Sequence, residues 1–306
     1  MDADFNALLE RIGGGGMEVL KVWNKTIVID GARTLSIALM NENNKVSELN
    51  LSGNHIGDDG IIAFSTALMN ENNKVTTLDL SWNKIGSEGA RSLSTALMNE
   101  NNKLITLTLS GNKIRSEGIR SLSTALMNGN NKVTTLTLSW NKIGDDGVSA
   151  LSTTLMLEHN KVTTLNLSIN NTGDDGVKSL SSAMMNKNSK VTLLDLFHNN
   201  IGTPGLAALL KGLRFSSVND LKIGYQRGLH PKVKTMLEEF VRAFKRYIPR
   251  LVTLASIRTI SRFGDQSPHF RELSSDILIR VVQTLGWFIN YQETLRILEE
   301  HVENEK

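Results

Sequence analysis

Apolar residues recur along the middle of the chain with two alternating spacings. In stretches such as Leu49-Asn-Leu51 every second residue is apolar, which predicts a short strand whose leucines face one side. Between these stretches apolar residues lie four apart, as at Leu93 and Leu97, which predicts one face of a helix. The pattern therefore predicts strands and helices that alternate along the chain.

The strand and helix patterns repeat every 29 residues. Six copies of Leu-x-Leu-x-x-Asn occur at Leu49–Asn54, Leu78–Asn83, Leu107–Asn112, Leu136–Asn141, Leu165–Asn170 and Leu194–Asn199. A glycine follows each motif at a fixed offset: Gly60, Gly89, Gly118, Gly147, Gly176 and Gly205. One unit cannot bury its apolar face alone, so the units are predicted to stack into a solenoid.

The polar positions of the unit predict how each element begins and ends. The motif asparagine is expected to bond backbone groups where the chain leaves the strand. Ser87 is expected to cap the helix that follows it, and the recurrent glycine to let that helix approach the strand closely. The segment 99–103 is expected to end the helix in a polar turn.

Two degenerate copies flank the six regular units. Leu20-Lys-Val22 keeps the frame but has Lys25 at the asparagine position, and Leu221-Lys-Ile223 is followed by Gln226. Terminal units must cap the core and are expected to be atypical. The chain is therefore divided into an N-terminal cap at 1–19, a solenoid at 20–228 and a C-terminal helical domain at 229–306.

The six motifs with their 29-residue period resemble the ribonuclease-inhibitor type of leucine-rich repeat, and they are similar to the C-terminal repeats of NOD-like receptors. The resemblance covers about two thirds of the chain. It implies an α/β horseshoe with a parallel sheet inside and helices outside, followed here by an all-α region. It also implies binding of another macromolecule rather than catalysis.

The residues between the leucines are predicted to line the concave face of the horseshoe. Most are Thr and Ser, whose presence is explained by strand propensity and solubility. A stripe of larger side chains interrupts them and favours an interface: Trp82, Trp140, Ile169, Phe197 and His198. Two strand spacings place Trp82 and Trp140 about 10 Å apart. Alternatively, each tryptophan covers a neighbouring glycine, since Gly53 and Gly111 alternate with them. The C-terminal end of the stripe is the preferred contact surface.

Charged residues beside this stripe complete the predicted partner-binding set, with Asp79 and Asp195 in the strands. Lys84, Lys113 and Lys142 form a column where the strands end. Acids such as Glu88, Glu117 and Asp145 follow, so surface ion pairs are the favoured interpretation of the lysines. A strip that binds phosphate is the alternative.

Composition and motifs exclude several kinds of chemistry. The 306 residues contain no cysteine, which rules out disulfides, a cysteine nucleophile and a thiolate zinc site. The six histidines have no metal-ligand spacing, and no P-loop or Gly-x-Ser-x-Gly elbow occurs. Paired aspartates such as Asp58-Asp59 fit helix N-termini better than a metal site. We predict no enzyme, cofactor, metal or small-molecule substrate.

No apolar run is long enough to cross a membrane, and residues 1–5 do not begin a secretory signal peptide. The net charge is +3, but bases concentrate at 222–262 and acids after 263. The basic block admits nucleic acid or acidic lipid as a partner. Because its bases alternate with apolar residues at helical spacing, a solvated amphipathic face is favoured.

Two features of the last quarter suggest particular roles. The segment 273–285 faintly resembles the core helix of an F-box, with Ser274 where a proline is usual, which would make the chain a ubiquitin-ligase adaptor. Glu299, Glu300 and Glu303 resemble the glutamate-rich secretion signal of Legionella-type Dot/Icm effectors, as do the Asn/Lys-rich repeat turns. This resemblance implies a cytosolic protein, translocated into a host cell, that binds a host protein. An enzyme with its site in 229–306 is the least favoured alternative.

Overall fold

The computed structural model describes residues 3–24, 27–213, 216–224 and 226. The helical region predicted at 229–306 and the predicted secretion signal lie outside these residues. The strands are β1 (Val19–Lys21), β2 (Glu48–Asn50), β3 (Thr77–Asp79), β4 (Thr106–Thr108), β5 (Thr135–Thr137), β6 (Thr164–Asn166), β7 (Leu193–Asp195) and β8 (Asp220–Lys222). The helices are α1 (Ala3–Gly13), α2 (Ile29–Leu39), α3 (Gly57–Met69), α4 (Ser87–Met98), α5 (Arg115–Leu126), α6 (Gly144–Leu155), α7 (Asp174–Met185) and α8 (Thr203–Leu213).

The eight strands form one parallel sheet in chain order, from β1 to β8. Each regular strand pairs with the strand 29 residues further along, so Leu49 lies beside Leu78, which lies beside Leu107. A helix follows every strand from β1 to β7. The predicted α/β solenoid and its unit length are therefore confirmed over the described residues.

The core lies between the sheet and the helices. Both leucines of each motif are buried, as at Leu78 and Leu80, and they share one cluster with Leu93 and Leu97 of α4. Burying a leucine side chain contributes roughly 1.5–3 kcal/mol, and each unit leaves part of its core surface to be covered by the next. The strand residues between the leucines remain on the other side, which we call the open face of the sheet.

The recurrent glycine allows close packing between neighbouring units. A Cβ added at Gly118 would lie 2.6 Å from Cγ2 of Ile114 and 2.9 Å from Cβ of Ala90 on the preceding helix. The close approach predicted for this glycine therefore joins its helix to the preceding helix and to the isoleucine after the motif, rather than to the strand.

The motif asparagines form a buried hydrogen-bonded ladder, as predicted. Oδ1 of Asn112 accepts hydrogen bonds from the backbone N–H groups of Asn83 and Ile85, both at 3.0 Å. Its Nδ2 donates to the carbonyl oxygens of Leu80 and Leu109, also at 3.0 Å. One side chain thus satisfies backbone groups of two units at the point where the sheet ladder stops.

Gln226 takes the asparagine role in the last, degenerate unit. Its Oε1 accepts from the N–H groups of Asn199 and Ile201, and its Nε2 donates to the carbonyls of Leu196 and Ile223. The longer side chain reaches the same kinds of partner as Asn112 does, so the ladder continues to the end of the described residues.

A second set of buried asparagines, which the sequence pattern did not single out, lies between each helix and the next strand. Asn73 shows the arrangement: its Nδ2 donates to Leu68 O, and its Oδ1 accepts from Val75 N–H. Asn44 and Asn102 make the corresponding bonds in their units. The polar turn predicted here therefore also has a buried asparagine that joins the helix end to the strand start.

The helix N-termini are capped from neighbouring units. Ser87 is the first residue of α4 and donates its hydroxyl to Ile114 O, and the capping position itself is Gly86. Oδ1 of Asp58, in the first turn of α3, accepts the Gly86 N–H at 2.6 Å. The expectation that Ser87 caps its own helix is wrong, because the preceding helix supplies the acceptor.

The first helix covers the N-terminal end of the stack. α1 packs against α2 and buries Ile12 in the shared core. The domain boundaries placed at residues 19 and 228 remain predictions.

Candidate functional site

The candidate site lies on the open face, where the strands position one residue of each kind in every unit. The column that precedes each motif asparagine contains Gly53, Trp82, Gly111, Trp140, Ile169 and His198. Because neighbouring parallel strands lie about 4.8 Å apart, members of one column are held at fixed intervals by the sheet.

Trp82 and Trp140 expose large indole surfaces side by side. Their side chains are 55% and 52% exposed, and their ring centroids are 5.9 Å apart with a 50° angle between the planes. This is a favourable distance and tilt for an aromatic pair. The rings are closer than the predicted strand spacing because the side chains lean together across the intervening unit. We call this pair the tryptophan platform.

The backbone beneath the platform has a conformation that bulky residues rarely adopt. Trp82 has φ 58° and Trp140 has φ 59°, as glycines of the same column do, with φ 68° at Gly53 and 67° at Gly111. The left-handed region costs a residue with a Cβ roughly 1–2 kcal/mol, and glycine very little. Two of the six units have the unstrained residue and four do not, so the side chains in those four are held at a cost to stability.

Gly111 explains how the platform is assembled. A Cβ added there would lie 2.3 Å from Cδ2 of Trp82, so the Trp82 ring rests directly over this glycine. The interpretation that a tryptophan covers a neighbouring glycine is therefore correct for Trp82 and Gly111. It does not exclude a binding role, because half of the indole surface stays exposed after that contact.

The predicted stripe continues to the C-terminal end of the described sheet. Ile169 and His198 share the left-handed conformation, with φ 56° and 53°. The rings of Phe197 and His198 have centroids 6.1 Å apart, and Phe197 is 43% exposed and lies against Gly224. The structure thus has two aromatic pairs on the open face, with Ile169 between them in the column.

Asp79 and Asp195 are partly committed to local bonds. Oδ1 of Asp79 accepts from both the N–H and the hydroxyl of Ser81, and Asn50 and Asn166 make the same pair of bonds in their units. Oδ1 of Asp195 accepts the Phe197 N–H, and the residue is buried. Both carboxylates therefore order the end of their strand, beside the site rather than at its centre.

The lysine column lies two residues beyond the platform column. Lys84 approaches Nδ1 of His55 at 3.2 Å, and Lys113 and Lys142 are exposed. Within the described residues none of the three forms an ion pair. Glu88 pairs instead with Arg91, and Asp145 accepts the Gly173 N–H. The favoured interpretation of these lysines as members of surface ion pairs is not what the structure shows.

Trp23 is an exposed aromatic that sequence comparison of the regular units missed. It is 61% exposed and follows β1 in the degenerate first unit. Counting 29 residues forward places it in the column of Ser52 and Ser81, a column that Phe197 ends on the other side. That alignment was the available signal, but the departure at Lys25 hides it.

The described residues contain no group of three or more His, Cys, Asp or Glu side chains that could hold a metal ion. No helix within the same residues is long and apolar enough to cross a membrane. What the site offers chemically is an aromatic surface, hydroxyl groups and lysines, which together suit binding.

Comparison with known proteins gives the following matches. The family model described as "Leucine Rich repeat" matches six times, at residues 42–65, 71–94, 100–123, 129–152, 158–181 and 187–210. Each match spans the turn asparagines, a strand and the first part of its helix. A solved structure entitled "Leiomodin-1 Actin-Binding Site 2 (ABS2)" is 16% identical, covers 79% of this chain and 99% of its own, and has a TM-score of 0.40. No curated protein matches the sequence.

Proposed function

This chain is a leucine-rich-repeat protein, and we propose that it binds a protein partner through the open face of its sheet, with the tryptophan platform at the centre of the contact. The stripe from Trp82 to His198 supplies the apolar part of the interface. The lysine column supplies charge at its edge. The fine classification as a ribonuclease-inhibitor type of repeat is part of the same proposal, supported by the 29-residue unit with its helix of 11–13 residues.

The observation that carries the proposal is the pairing of exposure with strain at Trp82 and Trp140. A solvent-exposed position on left-handed backbone favours glycine, as at Gly53 and Gly111. Retaining an indole there costs stability and leaves half its surface in water. Strained residues of this kind cluster at ligand-binding sites, and tryptophan is enriched among the residues that dominate binding energy.

The experiment compares the proteins captured from a eukaryotic cell lysate by the wild-type chain and by a Trp82→Ala/Trp140→Ala variant. Loss of specific partners from the variant is expected, with circular dichroism used to verify that the solenoid is intact. The matched control is Trp23→Ala, which removes an equally exposed indole from the first strand and leaves capture unchanged. Recovery of the same partners by the platform variant contradicts the chosen surface.

We further propose that the chain is a bacterial effector that acts inside a host cell. Support comes from the sequence alone: the glutamate-rich segment with Glu299, Glu300 and Glu303, and the Asn/Lys-rich turns of the repeats. A reporter fusion delivered by a Dot/Icm-competent strain tests it, with and without residues 299–306. Equal delivery of the two forms eliminates this segment as a signal.

The adaptor alternative assigns residues 273–285 to a ubiquitin ligase and the solenoid to its substrate. It rests on the F-box resemblance, in which Ser274 replaces the usual proline. Capture of a ligase subunit by the full chain, and its loss when residues 273–285 are deleted, is the result this alternative requires.

A further inference from the structure

We propose that the segment docking on the tryptophan platform is an acidic peptide, with an apolar side chain on the indoles and carboxylates on Lys113 and Lys142. The inference rests on the proposed function, since it names the chemistry of the partner at that same surface. The platform and the lysines are adjacent because Trp140 and Lys142 are two residues apart at the end of the same strand.

The distribution of charge on the open face favours an acidic partner. At the N-terminal end of the sheet Lys21 pairs with Glu48, with Nζ 3.6 Å from Oε1, and at the other end Asp195 lies in register with Lys222. In the central strands β3 to β5 the only charged residue is Asp79, which is bonded to Ser81. The lysine column therefore leaves a positive strip beside the platform, while both ends of the face are balanced.

The geometry suits an extended segment that crosses the strands. Lys84, Lys113 and Lys142 belong to consecutive units, so their backbones are about 4.8 Å apart. Lys84 is drawn towards His55, which makes Lys113 and Lys142 the principal contacts. A partner residue above the indoles of Trp82 and Trp140 would have neighbours within reach of both ammonium groups.

A peptide fits this strip better than a nucleic-acid strand does. Directly beyond the lysines lies a belt of acids in the first turns of the helices: Asp58, Asp59, Glu88, Glu117, Asp145, Asp146, Asp174 and Asp175. A peptide can direct its carboxylates to the lysines and neutral side chains to the belt. Every nucleotide carries a phosphate, so a strand long enough to bind would meet the acids as well.

The test is selection of a displayed library of random dodecapeptides on the full-length wild-type chain, followed by fluorescence anisotropy of the enriched peptides. We expect the enriched peptides to combine an apolar anchor with an excess of Asp and Glu. Binding should fall about tenfold in Lys113→Glu/Lys142→Glu and weaken with added salt. The matched control, Lys74→Glu/Lys187→Glu, reverses two exposed lysines at the opposite edge of the solenoid and should bind as the wild type does.

The possible outcomes separate this inference from the proposed function. Enriched peptides without excess acid that still lose binding in Trp82→Ala/Trp140→Ala overturn the acidic partner and retain the platform. Peptides that bind both tryptophan and lysine variants normally overturn both proposals. No enrichment of any peptide, or selective binding of a twelve-nucleotide single-stranded DNA in place of peptides, overturns the acidic peptide.

Discussion

At the scale of single residues, the most informative feature is the left-handed column that contains Trp82 and Trp140. The sequence predicted that these side chains are exposed, and Gly53 and Gly111 in the same column were the available sign of positive φ. Their conformation could not be predicted from the motif, because Leu-x-Leu-x-x-Asn fixes the direction of the leucines and not the dihedral angles of the turn. The same limit explains the ring distance of 5.9 Å, since strand spacing describes backbones and not leaning side chains.

The strain at Trp140 predicts an inverted order of stability for two substitutions. Both Trp140→Gly and Trp140→Ala remove the indole, so their difference reports the backbone alone. We expect the glycine variant to be more stable by about 1 kcal/mol, because alanine at φ 59° retains the left-handed penalty. Urea denaturation of the two variants measures it.

The control for that comparison is Thr137, in the regular strand β5. There the order should reverse, with Thr137→Ala more stable than Thr137→Gly, since glycine gains freedom in the unfolded chain and no relief in the strand. An alanine variant at Trp140 as stable as the glycine variant would show that the backbone is not strained.

A second prediction concerns the contact between Gly111 and the Trp82 ring. Gly111→Ala and Gly53→Ala face the same left-handed penalty, with φ 67° and 68°. Only at Gly111 does the new Cβ meet a ring, at 2.3 Å, whereas at Gly53 the nearest atom is Oδ1 of Asn24 at 3.3 Å. Gly111→Ala should therefore cost roughly 1–3 kcal/mol more.

The cause of that difference can be isolated with a double-mutant cycle. In a Trp82→Ala background the ring is absent, so the two glycine substitutions should become equally costly within about 0.5 kcal/mol. Thermal or urea unfolding of the four variants gives the coupling. A difference that persists without the indole would mean that Gly111 is constrained by something other than Trp82.

At the scale of elements, polar side chains define where strands and helices meet. The motif asparagine was predicted from its place after the strand, and the structure confirms its bonds to backbone groups of two units. The second buried asparagine, as at Asn73, was missed because segment 70–74 is polar throughout. Composition alone cannot distinguish one buried amide from three exposed neighbours. Helix capping was also mispredicted, because Asp58 acts across units and a local capping pattern contains no such information.

The motif ladder gives a prediction of its own. Asn112→Ala should destabilise the fold by roughly 3 kcal/mol or more, because it leaves buried N–H groups of Asn83 and Ile85 and the carbonyls of Leu80 and Leu109 without this partner. Asn200→Ala, at an exposed position after the last motif, should change stability by less than about 0.5 kcal/mol. Equal losses in the two variants, measured by urea denaturation, would contradict a special role for the ladder.

At the scale of the whole molecule, the repeat made the fold predictable and the exceptions to it define the site. Register, strand order and core positions all follow from one 29-residue period, so a single correct alignment predicts eight strands. Function depends instead on positions where the units differ, such as Trp82 against Gly111. Those differences are visible in the sequence, but their mutual contacts depend on packing across units. Charge follows the same rule: the lysines were visible, and the absence of ion pairs to them within the described residues was not.

The last prediction concerns where the solenoid ends. Gln226 closes the ladder by bonding Asn199, Ile201, Leu196 and Ile223, so a fragment of residues 1–228 contains every described element together with its terminal cap. We expect this fragment to fold and to unfold cooperatively in urea. The same fragment with Gln226→Ala should lose roughly 2–3 kcal/mol, and its loss should be concentrated in the C-terminal units, because repeats are stabilised by their nearest neighbours. Hydrogen exchange resolved by unit locates that loss. If both forms of the fragment exchange alike in β7 and α8, Gln226 is not the cap, and the solenoid depends on residues beyond 228 for its closure.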